Sequence, residues 1–184
     1  ITLNTPVTAE DLKDLRAGDD VYITGYVYTA RDAAHARLVE LLEQGKELPV
    51  DLEGAIIYYV GPAPAKPGQP LGSAGPTTSY RMDSYAPALM DQGLRGMIGK
   101  GRRDQTVKDK IVETGSVYFA AIGGAAALIA KAVKSAEIVA YEDLGAEAIR
   151  KLYVEDLPVT VINDAHGNDL YEEGREEYLK WAEK

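Results

Sequence analysis

Apolar residues follow two alternating patterns along the chain, short β-branched runs and longer stretches with helical spacing. The runs predict strands at Val21–Thr29, Ala55–Val60, Gly96–Gly99, Val117–Ile122, Glu137–Tyr141 and Val159–Asn163. The spacing predicts a short helix after the N-cap Thr8 and further helices at Arg31–Gln44, Asp83–Gln92, Gln105–Thr114, Gly124–Val133, Ala146–Leu152 and Asp169–Ala182. Strands that alternate with helices are typical of α/β proteins, so we predict one domain over residues 1–184 with a mostly parallel central sheet flanked by helices.

The size and charge of the chain narrow the class of partner that it can have. Its 184 residues suffice for one domain with a hydrophobic core. The net charge of −9 and the pI of about 4.8 disfavour a nucleic-acid binder, which normally carries a basic patch. No apolar run is long enough to cross a bilayer, and residues 1–6 lack the basic and apolar regions of a secretory signal. We therefore expect a cytoplasmic protein without a membrane or nucleic-acid partner.

Cysteine is absent from the sequence, and histidine occurs only at His35 and His166. The lack of cysteine excludes disulfide bonds, a catalytic thiol and a thiolate-held metal centre built from this chain alone. Two histidines are too few for a self-contained histidine metal site, so we expect no metal ligand in the chain. Any transition-metal chemistry must therefore be brought by another chain.

Three basic residues stand at predicted strand ends of this acidic protein. Arg31 lies between a strand and its helix, Lys100 lies between two glycines after a strand, and Arg81 follows the hydroxyl run Thr77–Ser79. Ligands bind α/β sheets at the carboxyl ends of the strands, and a guanidinium group binds a carboxylate through two hydrogen bonds. Hydroxyls and backbone amides at a helix entrance add an anion cradle. The pattern predicts a pocket for a ligand with two or more carboxylates, without a group that could act on it.

Structural roles compete with binding at several of these positions. A surface ion pair with Asp32 would also explain Arg31, and helix capping would explain one hydroxyl of Thr78 or Ser79. Capping accounts poorly for three adjacent hydroxyls, so binding is favoured there. Elsewhere the structural interpretation prevails, with tight packing at Ala120–Ala127, a solvent-facing or partner-facing pair at Arg102 and Arg103, and a turn around His166.

Seven short motifs, specific in their order and spacing, make the chain resemble a known family. They are Thr29–His35 (TARDAAH), Gly61–Pro62, Gly75–Ser84 (GPTTSYRMDS), Gly99–Gly101 (GKG), Gly123–Ala126 (GGAA), Glu142–Gly145 (EDLG) and His166–Asn168 (HGN). From about Thr5 to about Tyr171 the chain resembles the β subunit of class I fumarases and of the related L-tartrate dehydratases, or the C-terminal domain of their fused forms.

The resemblance implies a swivelling α/β domain that works as one part of a heteromeric hydro-lyase. In that family a cysteine-bearing α subunit holds a 4Fe–4S cluster, and one open iron acts as a Lewis acid on the substrate. The β chain supplies cationic and hydroxyl groups and no metal ligand, which accounts for its lack of cysteine. The family also implies an α2β2 assembly.

The resemblance also assigns roles in holding the substrate. Arg31, Arg81 and Thr78 are expected to bind the carboxylates of a small dicarboxylate. Lys100 is expected to add a third cationic contact at the catalytic centre, where it would act together with Thr77.

Catalytic and supporting roles follow from the same motifs. Thr77 is expected to exchange the proton on the carbon next to the one that bears the hydroxyl. Because threonine is a poor base at its ordinary pKa, it would need nearby cations and exclusion of water. Asp83 is expected to orient Thr77 or Arg81, and His35 is expected to support Arg31 from behind.

The identity of the substrate rests on finer details of the motifs. The segments Tyr80–Tyr85 (YRMDSY), Tyr58–Pro62 (YYVGP) and Ile122–Ala126 (IGGAA) resemble fumarase β chains more closely. Tartrate dehydratase β chains tend to carry glutamate at the position of Asp83. Reversible hydration of fumarate to L-malate is therefore predicted, with L(+)-tartrate dehydration as the alternative. A stand-alone dicarboxylate-binding domain without catalysis is the competing possibility from another functional class.

Overall fold

The computed structural model describes residues 1–72, 74–121 and 126–182 of the chain. The strands are β1 (Thr2–Asn4), β2 (Asp20–Thr29), β3 (Ile56–Tyr58), β4 (Gly96–Gly99), β5 (Val117–Ala121), β6 (Val133–Ala140) and β7 (Ile149–Asn163). The α-helices are α1 (Ala9–Leu12), α2 (Asp32–Glu43), α3 (Ala86–Asp91), α4 (Gln105–Thr114), α5 (Ala126–Ala132) and α6 (Leu170–Ala182). Two 3-10 helices cover Ser79–Met82 and Glu142–Glu147. None of the helices within these ranges has the length and apolar character needed to cross a membrane.

The strands form one mixed sheet in the order β1-β2-β3-β4-β5-β7-β6. Neighbouring strands from β1 to β5 run parallel, as the alternation of strands and helices predicted. The long strand β7 runs antiparallel to β5 and β6 and also pairs with β2 along its length. Because β7 bridges β5 and β2, the strands β2, β3, β4, β5 and β7 close into a ring.

Closure of the ring divides the hydrophobic core into two layers, because successive side chains of a strand point to opposite faces. The inner layer fills the ring and includes Val27, Tyr58, Ile98 and Phe119. The outer layer lies between the sheet and helices α2, α3 and α4 and includes Ile57, Met97 and Tyr118. The helices are thereby fixed against the outer face of the parallel strands.

Helix α4 has the predicted bounds because both of its ends carry local signals. The Asp104 side chain accepts a hydrogen bond from the backbone N–H of Val107 at the N-cap. Gly115 ends the helix in the left-handed conformation with φ of 74°. Val107 and Ile111 lie one turn apart and are buried against the sheet. Because the capping residues and the apolar periodicity agree here, the sequence is sufficient to predict both ends of this helix.

Two predicted helices differ from the structure. The helix expected at Ala146–Leu152 is wrong, because Ile149–Leu152 belongs to β7 and pairs with both β2 and β6. The helix expected at Asp83–Gln92 is shorter, since a 3-10 turn precedes α3 and Pro87 occupies its first turn. The start of the predicted Gly124–Val133 helix lies outside the described residues, as does the end of the predicted Val117–Ile122 strand.

Candidate functional site

The predicted cationic residues lie where the parallel strands β2, β3 and β4 end, here called the carboxyl edge. Arg31 follows β2, and Lys100 follows β4 directly. Between them, Gly61 lies three residues beyond the end of β3, and a Cβ atom at this position would lie 2.9 Å from Cδ of Arg31. A side chain at position 61 would therefore displace Arg31. Because residue 61 is glycine, the aliphatic part of the Arg31 side chain can pack against the backbone beyond β3.

Backbone hydrogen bonds place the hydroxyl loop on the same edge. The N–H of Thr77 donates to the carbonyl of Tyr59 at 2.7 Å, and the N–H of Lys100 donates to the carbonyl of Thr77 at 3.3 Å. Thr78 and Lys100 pair as a parallel bridge. The structure thus brings Thr77, Thr78 and Lys100 together between the ends of β3 and β4. Both threonines are half-buried, and Lys100 is exposed.

The hydroxyls of this loop do not cap the helix that follows it. Thr78 occupies the N-cap position of the 3-10 helix Ser79–Met82, but its side chain makes no capping bond within the described residues. The hydroxyl of Ser79 is buried and lies 2.7 Å from the hydroxyl of Tyr118. The capping alternative is therefore wrong for Thr78, and helix capping does not account for its hydroxyl.

Each of the two arginines has an acidic neighbour near Nε, but only Arg81 is hydrogen-bonded to it within the described residues. The Nε of Arg81 donates to Oδ2 of Asp32 at 2.9 Å, while the Nε of Arg31 lies 3.9 Å from Oε1 of Glu147. The side chains of Arg31 and Arg81 are 26% and 45% exposed, so both remain accessible to a ligand. The expected alternative of an Arg31–Asp32 surface pair is wrong, because Asp32 pairs with Arg81 across the sequence.

His35 lies beneath Arg31 and is fully buried. Its Nδ1 lies 2.8 Å from the carbonyl oxygen of Arg31, so Nδ1 carries the proton and donates it. The ring packs edge-on against Tyr59, with centroids 5.4 Å apart. Burial lowers the pKa of His35 to about 4, so the ring is neutral at neutral pH. The contact is with the backbone carbonyl of Arg31, and the role of His35 in supporting the Arg31 side chain stays a prediction.

The buried histidine should make folding sensitive to mild acid. Its pKa is about 4 when folded against 6.5 in the unfolded chain, so the unfolded chain binds the extra proton between these pH values. The free energy of unfolding should therefore fall as the pH drops from 6.5 to 4, by up to about 3 kcal/mol from this residue. Urea denaturation across this pH range, on the wild type and on His35→Gln, measures the effect.

A matched control separates this effect from general acid sensitivity. Ser116→Ala removes a buried hydroxyl that does not titrate in this pH range, and it should retain the wild-type pH dependence whatever stability it loses. His35→Gln should lose much of the slope between pH 6.5 and 4, whatever its stability at pH 7. An identical slope in His35→Gln and wild type would contradict the assignment of the acid sensitivity to His35.

Asp83 makes a different contact from the one expected. Its Oδ1 accepts from Nε of Arg103 at 2.6 Å, and its Oδ2 accepts from the backbone N–H of Asp104 at 2.8 Å. Burial raises the pKa of the Asp83 carboxyl, and the charge of Arg103 opposes that rise. The expectation that Asp83 orients Arg81 is wrong as a direct contact, because Arg81 pairs with Asp32.

Arg103 corrects a second expectation. It was predicted to face solvent or a partner together with Arg102, but it is only 4% exposed, whereas Arg102 is exposed. Its acidic partner stands 20 residues earlier in the chain, so no local spacing signals the pair. Glu147 was missed for the same reason, since it reaches Arg31 from a distant 3-10 helix.

Two of the predicted structural segments can be placed only in part. His166 lies in a turn, as expected, and its N–H donates to Oδ1 of Asp164 at 2.9 Å. In the small-residue segment Ala120–Ala127, Ala120 and Ala121 end β5 and Ala126 begins α5, while residues 122–125, including most of the Gly123–Ala126 motif, lie outside the described residues.

The donors of this chain do not fit an iron–sulfur cluster. The sequence contains no cysteine. Over residues 1–72, 74–121 and 126–182, no three histidine, aspartate or glutamate side chains are arranged to hold a metal ion. The chemistry that the carboxyl edge can supply is instead cationic and hydroxylic, which suits a ligand with carboxylate groups.

Comparison with known proteins agrees with the motifs. The family model described as "Fumarase C-terminus" matches residues 1–174. The chain is 46% identical over 153 residues to the anaerobic class I fumarate hydratase of Escherichia coli, a match that covers 82% of this chain and 28% of that protein. It is 37% identical over 175 residues to fumarate hydratase 2 of Leishmania major, which covers 93% of this chain and 31% of that protein.

A shorter relative matches over most of both chains. A Methanocaldococcus jannaschii protein that carries the name L(+)-tartrate dehydratase subunit beta is 39% identical over 173 residues, covering 91% of this chain and 89% of that protein. The chain thus spans less than a third of the length of the two fumarate hydratases above and nearly all of the tartrate dehydratase subunit. The chain therefore belongs to the Fumarase C-terminus family, the β-type region shared by class I fumarate hydratases and the tartrate dehydratase β subunit.

Proposed function

We propose that this chain is the β subunit of a heteromeric hydro-lyase that interconverts fumarate and L-malate. The observation that carries the proposal is the convergence of Arg31, Thr77 and Lys100 at the carboxyl edge, with Arg81 held nearby through Asp32. Both arginines have an acidic neighbour, and Lys100 adds a positive charge that has no ion pair within the described residues, which favours an anionic ligand at this edge of a protein with net charge −9.

The substrate carboxylates are bound by the two arginines and by Thr78 in this proposal. Because Arg81 uses Nε for Asp32, its two terminal nitrogens remain for a bidentate contact with a carboxylate. Nε of Arg31 makes no hydrogen bond within the described residues, and Glu147 is an ionic neighbour 3.9 Å away. Asp32 therefore orients the guanidinium of Arg81, and in both arginines the acidic neighbour lies at Nε and away from the terminal nitrogens that a carboxylate needs.

Thr77 is the proposed base, and Lys100 is the cation beside it. In the direction from malate to fumarate, Thr77 accepts a proton from the carbon next to the hydroxyl-bearing carbon. That C–H electron pair becomes the double bond as the C–O bond breaks; the hydroxyl leaves with the C–O electron pair and takes up a proton to form water, which balances the proton that Thr77 passes on to solvent. The reverse sequence hydrates fumarate. A threonine hydroxyl loses its proton with difficulty, and a neighbouring ammonium group favours the charged form. The backbone bond between Lys100 and Thr77 keeps the two residues adjacent.

The rest of the site is proposed to come from a cysteine-bearing α subunit that holds a 4Fe–4S cluster. Two observations support this division. The chain has no cysteine, and it spans 28% of the E. coli fumarate hydratase that it resembles. An α2β2 assembly and a cytoplasmic location belong to the same proposal.

L(+)-tartrate is the second candidate substrate, and its support is the near full-length match to the M. jannaschii subunit.

The test is anaerobic reconstitution of this chain with the cysteine-bearing protein that co-purifies with it, followed by turnover of L-malate and L(+)-tartrate. We expect a brown complex that dehydrates malate faster than tartrate. Faster water loss from tartrate would replace the substrate. A stable monomer that binds fumarate tightly without any partner would instead indicate a binding domain without catalysis.

A further inference from the structure

A buried guanidinium group lies directly behind the carboxyl edge. Nε of Arg103 donates to Asp83 at 2.6 Å, and Nη2 donates to the hydroxyl of Tyr59 at 3.1 Å. Nη1 lies 3.7 Å from the sulfur of Met97. The guanidinium carbon lies 4.8 Å from the ring centroid of Tyr118 and 5.2 Å from that of Tyr59. With only 4% of its surface exposed and a contact at each nitrogen, Arg103 is buried behind the edge and does not face a substrate.

Three of the four partners of Arg103, namely Asp83, Tyr59 and Tyr118, are joined to residues of the proposed site. Asp83 ends the 3-10 turn that carries Arg81. The carbonyl of Tyr59 accepts the N–H of Thr77, the proposed base. The hydroxyl of the third partner, Tyr118, contacts two segments of the site, at Ser79 and at Gly101.

The hydroxyl of Tyr118 joins two segments in a defined direction. It donates to the carbonyl of Gly101 at 2.8 Å, next to Lys100. Because a phenol has one proton, the hydroxyl of Ser79, at 2.7 Å, must be the donor to Tyr118. The segment from Thr77 to Arg81 and the segment around Lys100 are therefore connected through one aromatic side chain, and Arg103 stacks on that ring.

We propose that Arg103 is a positioning residue that fixes Thr77, Arg81 and Lys100 in one arrangement, an inference that rests on the proposed function. A planar guanidinium is required because it donates in two directions while stacking on two rings, which a lysine ammonium cannot do. Asp83 neutralises the buried charge and is part of the same unit. In this proposal, Arg103 fixes the positions of the residues at the carboxyl edge without contacting the substrate.

The test compares Arg103→Lys and Tyr118→Phe in the assembled enzyme. Arg103→Lys keeps the charge but loses the planar fork, and Tyr118→Phe keeps the ring but loses the bonds to Ser79 and Gly101. We expect kcat/KM for malate to fall about 100-fold in the first and about 10-fold in the second, because small displacements of reacting groups are costly. Both a lower kcat and a higher KM are expected, since the base and the cations move together.

Asp164→Asn is the matched control for loss of stability. Asp164 is also buried and accepts several hydrogen bonds, from Ala17, His166 and Asn168, but it follows β7 at the opposite edge of the sheet. It should lower the melting temperature while leaving kcat and KM within about twofold of wild type. If the folded Arg103→Lys and Tyr118→Phe enzymes behave like Asp164→Asn, Arg103 is merely structural and the inference is wrong.

Hydrogen exchange separates failure of this inference from failure of the proposed function. In the same assembled protein, the amides of residues 77–82 and 99–103 should exchange faster in Arg103→Lys than in Asp164→Asn. If the wild type turns over neither malate nor tartrate, the proposed function is wrong. The exchange result alone then decides whether Arg103 positions the two segments. Faster exchange in both segments then supports the positioning role, and unchanged exchange overturns it.

Discussion

Replacing Thr77 by alanine is expected to lower kcat for fumarate hydration about 1,000-fold, within the range that a positioned acid–base group contributes. KM should change little, because the proposed carboxylate contacts of Arg31 and Arg81 remain. The fold should also remain, since Thr77 is attached to Tyr59 and Lys100 through its backbone and not through its side chain. Steady-state kinetics of the assembled enzyme and its melting temperature measure both effects.

Two further measurements make the role of Thr77 specific. Thr77→Ser keeps a hydroxyl at the same place and should retain most of the activity that alanine loses. Exchange of solvent deuterium into malate reports the proton step itself, and it should disappear in Thr77→Ala. A Thr77→Ala enzyme with kcat within about tenfold of wild type, or with unchanged deuterium exchange, would assign the base to another residue.

The cationic edge was predictable because its signals are local. Arg31 and Lys100 stand immediately beyond strands whose β-branched or apolar character is evident in the sequence. Parallel neighbouring strands then bring their carboxyl ends together without further information. The hydroxyl loop was predictable for the same reason, since it leads from one such strand end toward the next element.

Features that depend on distant pairing were not predictable. Residues 149–152 have helical spacing but form a strand, because β2 and β6 offer hydrogen-bond partners on both sides. Asp32 follows Arg31 in sequence yet binds Arg81, 49 residues away. Arg103 has the local surroundings of a surface residue, and only the converging side chains of Asp83 and two tyrosines make its burial favourable.

Replacing Arg81 by methionine is expected to lower kcat/KM about 1,000-fold, because the lost guanidinium leaves a substrate carboxylate without its bidentate partner. The fold should be retained. The Arg81 side chain is 45% exposed, and an ion pair at such a position contributes about 1 kcal/mol or less. The melting temperature of a chain of this size should therefore fall by only about 3 °C. Kinetics and thermal unfolding of the same preparation check the two expectations together.

The ion pair with Asp32 supplies the control for Arg81. Asp32→Asn keeps the guanidinium but weakens the bond that holds Nε, so its loss of activity should be smaller than that of Arg81→Met. If Arg81 binds substrate, the double variant should be about as inactive as Arg81→Met, because Asp32 then acts only through the arginine. If Asp32→Asn restored activity to Arg81→Met, the defect would come from an unpaired carboxylate at Asp32. A fall in melting temperature well beyond that of Asp32→Asn would make Arg81 structural.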